Sequence, residues 1–162
     1  MSINEHTDYM TRCIELAELS VIEGDLPFGA LVVKDGEVVS ESGQTVTSSK
    51  DATSHAEVNV LRKAQQLLGN DLSDCTLYSN CEPCAMCSFV INELLVGKVV
   101  FAVKSPDMGG YTRCYILNDR NAKRLAEYGV KFPKVTPYFM EEEASRTFVN
   151  FERRLLGLPW KD

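Results

Sequence analysis

The run from residue 75 to residue 103 most constrains the fold. It opens on a short apolar segment, CTLYS, passes through PCAMCSFVINELL and ends in KVVFAV. Pro83 occupies a position where a first helical turn tolerates a missing N–H, and an apolar face follows, so the middle portion predicts a helix. Strand, helix and strand with few residues between them predict a parallel crossover, because parallel neighbours cannot be joined by a tight turn. The chain therefore belongs among α/β folds.

The flanks extend that unit. Between Tyr9 and Ile22, residues Cys13, Ile14, Leu16, Ala17, Leu19 and Ile22 recur at three- and four-residue intervals, a helical stripe that stops at Gly24. PFGALVVKDGEVVSES reads as a hairpin about Asp35-Gly36, a pair that accepts positive φ. Residues 44–54 are small and polar and read as a loop, with Thr53 or Ser54 capping a helix from about His55 to Leu68. That helix is expected to bury Ala56, Val60, Leu61, Ala64, Leu67 and Leu68 and to end at Gly69-Asn70. Turn formers dominate after Val103, which makes residues 104–115 a candidate pocket rim. NDRNAKRLAEYG then predicts a helix, KVTPYFM a last short strand, and EEEASRTFVNFERRLLG a closing amphipathic helix. The expected architecture is a three-layer α/β/α sandwich on a mixed five-stranded sheet, with residues 1–162 forming one domain.

A formal net charge of −6 over 162 residues supplies no broad cationic field, which disfavours nucleic acid as a partner. The basic clusters Arg153-Arg154 and Arg120, Lys123 and Arg124 read as solvated helix faces. The opening MSINEHTDYM is polar and acidic, and no apolar run approaches the ~18 residues of a membrane span, so a cytoplasmic protein is expected. Six cysteines in such a chain read as reduced thiols or metal ligands. Cys13, Cys75, Cys81 and Cys114 are most simply small buried hydrophobes.

Two segments carry the chemistry. HAEVN, residues 55–59, opens one predicted helix, and EPCAMC, residues 82–87, opens the next, one strand later. Two helix starts at one sheet edge bring His55, Cys84 and Cys87 together, and this donor set suits zinc, one ion per chain. Three protein ligands leave a position open for water, as catalytic zinc sites do. Glu57 beside the metal is the candidate proton shuttle. Two alternatives stand: a closed structural site in which Cys81 is a fourth ligand and Glu57 has no task, and a redox CxxC without metal.

The combination HAE and PCAMC resembles the zinc deaminases of the cytidine deaminase-like fold, with their H-x-E and P-C-x-x-C signature. PFGALVVKDGEVV, SSKDATSHAEVNVLRKA and LYSNCEPCAMC look most similar to bacterial guanine deaminases, and less so to cytosine and tRNA adenosine deaminases. The resemblance implies that His55, Cys84 and Cys87 bind zinc and that Glu57 moves the proton. It implies attack of zinc-bound hydroxide on an amino-bearing ring carbon, with loss of ammonia. It also implies backbone contacts from Ala56 and Cys84, a pocket wall at Phe28, close approach at Gly29, and a homodimer. The implied substrate is a free nucleobase or nucleoside, with a purine-like ring such as guanine favoured; tRNA adenosine and a non-catalytic zinc interaction domain are the alternatives.

Two positions depart from the family pattern. Gln44 stands eleven residues before the zinc histidine, where an asparagine is usual. The stretch GYTR, Gly110 to Arg113, stands where guanine deaminases carry an acid in GFD[DE]. Asp107, Asp119 or an acid within Glu141–Glu143 is a candidate replacement. Arg113 is a candidate donor to a substrate, and Tyr111, Tyr115 and Trp160 are candidate stacking residues.

Overall fold

The computed structural model describes residues 3–118 and 131–159. Helix α1 (Ile3–Ile22) leads into a hairpin of β1 (Gly29–Lys34) and β2 (Glu37–Gly43), whose turn places Asp35 at φ 51° and Gly36 at φ 83°. Both positive angles match the hairpin turn expected there. A four-residue helix, α2 (Val46–Ser49), precedes α3 (Ala56–Leu68) and β3 (Thr76–Cys81). Helix α4 (Ala85–Glu93) and β4 (Lys98–Val103) complete the crossover, and β5 (Lys134–Thr136) and α5 (Glu141–Leu155) follow. The helix predicted over 118–129 and Trp160 lie outside the described residues, apart from Asn118.

The sheet order is β2-β1-β3-β4-β5. β1 pairs antiparallel with both β2 and β3, while β3–β4 and β4–β5 are parallel, which makes the sheet mixed. Side chains alternate across it. Ala30 and Val32 of β1, Leu77 of β3 and Val99 of β4 pack with Val60, Leu61 and Ala64 of α3 and Ile91 of α4. Leu31 and Val33, Tyr78, Val100 and Ala102 face the other way, onto Met10 and Cys13 of α1 and Ala144 of α5. The apolar runs of β1 and β4 and the unbroken burial of β3 follow from this two-sided cover.

Several local expectations are corrected. Leu19 and Ile22 are exposed, because Met10, Cys13, Leu16, Ala17 and Val21 form the buried stripe of α1 instead. Leu67 and Leu68 are likewise exposed at the end of α3. Residues 44–54 are not all loop: Asp25 accepts hydrogen bonds from the Thr47 and Ser48 amides, at 2.6 and 3.1 Å, and so holds the first turn of α2. Thr53 and Ser54 do not cap α3, since both donate to Asp51, and His55 is the N-cap residue. Pro83 lies before the N-cap of α4, with its carbonyl accepting the Gly110 amide. Cys114 is partly exposed, whereas Cys13, Cys75 and Cys81 are buried.

Candidate metal centre and active site

His55 and Cys84 are the N-cap residues of α3 and α4, both in extended backbone conformations. Each side chain leaves the chain where a helix begins, at the end of the sheet where β3 terminates. Cys87, one turn into α4, is buried below them. His55 Nδ1 lies 3.6 Å from each sulfur, and the sulfurs are 3.5 Å apart. A tetrahedral zinc with Zn–S near 2.3 Å and Zn–N near 2.0 Å sets sulfurs about 3.8 Å apart and the nitrogen about 3.5 Å from each. The donor set and its spacing fit that ion.

Among the described residues these three form the candidate metal cluster, and Cys81 is not in it. The separation follows from placement: Cys81 ends β3, while Cys84 and Cys87 lie beyond the Pro83 turn. Electrostatics point the same way. The Cys84 thiol is lowered to about 4, chiefly by the hydrogen bond from Cys87, with burial opposing and His55 assisting. Cys87 is driven upward by the ionised Cys84 and by burial. A buried and a half-buried sulfur in contact, with a carboxyl nearby, form a donor set suited to a divalent cation.

Glu57, in the first turn of α3, is 5% exposed. Its Oε2 is 3.6 Å from Cys87 Sγ, and its Oε1 accepts a hydrogen bond of 3.2 Å from Ser79 Oγ. Burial raises its pKa above the ordinary carboxyl value, with Cys84 adding to the rise.

A cavity of about 220 Å³ opens onto this group. Leu26, Phe28, Val46 and Met108 supply apolar walls, and Gln44, His55, Glu57, Glu82 and Ser105 supply polar ones. Phe28 is backed by Phe148 of α5, with ring centroids 5.6 Å apart in an edge-to-face arrangement. Gln44 is 3% exposed, and its backbone, not its side-chain amide, makes the contacts to Phe28 and Ser20. Gly29 does not line the cavity; its close approach is to α1, where a Cβ would overlap the Cys13 carbonyl.

Three sequence candidates are placed elsewhere. Tyr111 packs against the α3-side core and Phe101 and does not line the cavity. Arg113 is exposed and is also absent from the lining. Ala56 buries its side chain in the core, so a contact from it rests on its first-turn amide. Of the candidate acids, Asp107 and Glu141–Glu143 are exposed and none lines the cavity; Asp119 lies outside the described residues. Sequence reasoning gave no role to Asn80 and Glu82, which hold the walls. Asn80 accepts from the Gly29 amide at 2.9 Å and donates to the Pro27 carbonyl at 3.0 Å. Polar residues at the inner end of a buried strand were the available signal.

A mixed α/β sandwich with a His/Cys₂ cluster at paired helix starts, an open fourth position and a buried carboxyl is the architecture of a zinc-dependent hydrolase. Residues 3–103 match the cytidine and deoxycytidylate deaminase zinc-binding region, and the chain belongs to that family. It is accordingly a zinc-dependent deaminase, a hydrolase of C–N bonds. Its relatives include a guanine deaminase of Bacillus subtilis (strain 168), 36% identical over 90% of this chain and 96% of that protein. A tRNA-specific adenosine deaminase of Aquifex aeolicus (strain VF5) is 32% identical over 91% and 93%. A solved structure from studies of A-to-I editing by tRNA:A34 deaminases superposes with a TM-score of 0.76 at 26% identity, covering 87% of this chain and 99% of that one.

Proposed function

We propose that the chain deaminates a free nucleobase or nucleoside with a purine-like ring, of the guanine or guanosine type. The observation that carries this reading is the character of the cavity. Its walls are largely apolar, no Lys or Arg is among its described lining residues, and the Gln44 amide is available to a ring edge. A polynucleotide substrate calls for cationic phosphate contacts close to the site. Kinship with the guanine deaminase adds support. The tRNA deaminase kinship supports a second reading, adenosine within tRNA.

Bound through His55, Cys84 and Cys87, zinc would act as a Lewis acid that lowers the pKa of water from about 15.7 toward about 7. The chain's own residues do the rest. The cavity walls hold the ring with its amino-bearing carbon toward His55. Glu57 passes one proton of the attacking water to the ring nitrogen and the other to the departing nitrogen, so that the amino group leaves as ammonia and the ring carbon becomes a carbonyl. Ser79 keeps the Glu57 carboxyl in one orientation.

A homodimer in the cytoplasm completes the proposal. Phe89 of α4, 62% exposed, borders a groove lined by Gln65, Val90, Glu93 and Leu94 that suits a second copy. Six free cysteines suit a reducing compartment. The test is ammonia release by zinc-loaded protein from guanine, adenine, cytosine, their nucleosides and unmodified tRNA, with Glu57→Ala as control. Release from a free purine or its nucleoside, absent in the control, is expected. Release from tRNA alone would replace this reading with the second.

A further inference from the structure

We propose that Glu82 is a positioning residue that sets the rim of the cavity and thereby which rings fit. It is 3% exposed at the end of β3 and carries no task in the deamination chemistry. Its carboxylate is nonetheless the most heavily used acceptor near the site. Oε2 accepts from the Ser105 amide at 3.0 Å, and Oε1 accepts from the Tyr111 amide at 3.0 Å and the Thr112 amide at 2.7 Å. The Thr112 hydroxyl lies 3.1 and 2.9 Å from the two oxygens.

These donors come from both ends of the segment 105–112, so one carboxylate closes the segment into a loop. Gly109 fits over it because a Cβ there would overlap the Glu82 carboxylate. The loop carries two cavity residues, Ser105 and Met108. It also reaches the metal cluster: Gly109 bridges to Cys84, and the Met108 carbonyl accepts the Ala85 amide at 3.0 Å. Glu82 thus connects the strand beneath the cavity to the wall above it. The matched family region ends at residue 103, so this wall is built outside it. Glu82 itself lines the cavity, but both of its carboxylate oxygens are engaged by the loop, so its part is to hold Ser105 and Met108 in place.

Glu82→Gln and Thr112→Val test this in the zinc-loaded full chain by residue-resolved hydrogen exchange. In Glu82→Gln an amide NH₂ replaces one oxygen and opposes an N–H donor, which removes a charge-assisted acceptor. Exchange across 105–112 is expected to quicken about tenfold or more, with β1, β3 and α3 unchanged and zinc content retained; Thr112→Val gives a smaller change in the same residues. On the substrate found above, KM rises about tenfold while kcat stays within about threefold, the split expected when binding surface is lost and chemistry kept. Wild-type exchange in the loop of Glu82→Gln, protection lost equally across the sheet in both variants, or a fall in kcat with KM unchanged would each overturn the proposal. The kinetic arm rests on the proposed deaminase reading. If the wild-type protein releases no ammonia from any compound, that reading fails and hydrogen exchange decides the role of Glu82 alone.

Discussion

At the residue scale, the proposed proton transfer rests on Glu57, with Ser79 holding its carboxyl. Glu57 is buried between Cys87 and the Ser79 hydroxyl, and its raised pKa suits a group that must both take and give. Glu57→Gln keeps the shape and removes the shuttle, so kcat should fall by about 10²–10⁴-fold with zinc content unchanged by elemental analysis. Gln44→Ala should act differently. It removes one neutral amide contact, so KM rises roughly three- to tenfold with kcat nearly constant, measured by steady-state ammonia release.

At the element scale, the small helix α2 depends on a carboxylate that precedes it by some twenty residues. Burial alone would raise the Asp25 pKa, but hydrogen bonds from Thr47 and Ser48 together outweigh it and hold the value below the ordinary one. A folded value below the unfolded one, near 3.9, means that the contribution is complete above that pH and is lost as pH falls through the folded value. Asp25→Ala should therefore cost about 1–3 kcal/mol at neutral pH, with the gap to wild type narrowing below about pH 4 in urea titrations. This helix was not legible in QTVTSSKDATS, because its stabilising partner lies before the hairpin and no local cap marks it. The crossover 75–103 was legible, since period and turn chemistry are local to it. The same contrast divides the site. His55, Glu57, Cys84 and Cys87 sit in short motifs at helix starts, whereas the rim needed a tertiary contact to Glu82, and Tyr111 and Arg113 are candidates from the place of GYTR in the family pattern and from side-chain chemistry, neither of which shows where the loop turns them. Exposed Leu19, Ile22, Leu67 and Leu68 show the limit of periodicity at helix ends, where packing stops before the pattern does.

For the whole molecule, metal and fold are linked. The candidate zinc donors come from two helices joined through β3, so binding should stabilise only the assembled state. Chelation is expected to abolish ammonia release and lower Tm, by about 2–4 °C for each kcal/mol of binding lost, with both restored by added zinc. Phe89→Glu should convert the proposed dimer to monomers in light scattering while leaving the zinc content unchanged. The sheet order also sets a sequence of events in time. The β1–β2 hairpin closes across two residues, but β1 meets β3 only through pairs such as Ala30 with Ser79. Local hairpins form in about 1–10 μs, while distant pairings wait on loop closure. His55 precedes β3 in the chain and Cys84 follows it, so a refolding chain should acquire hairpin signals early and thiolate-to-metal absorption, followed with cobalt in place of zinc, only after β3 has entered the sheet.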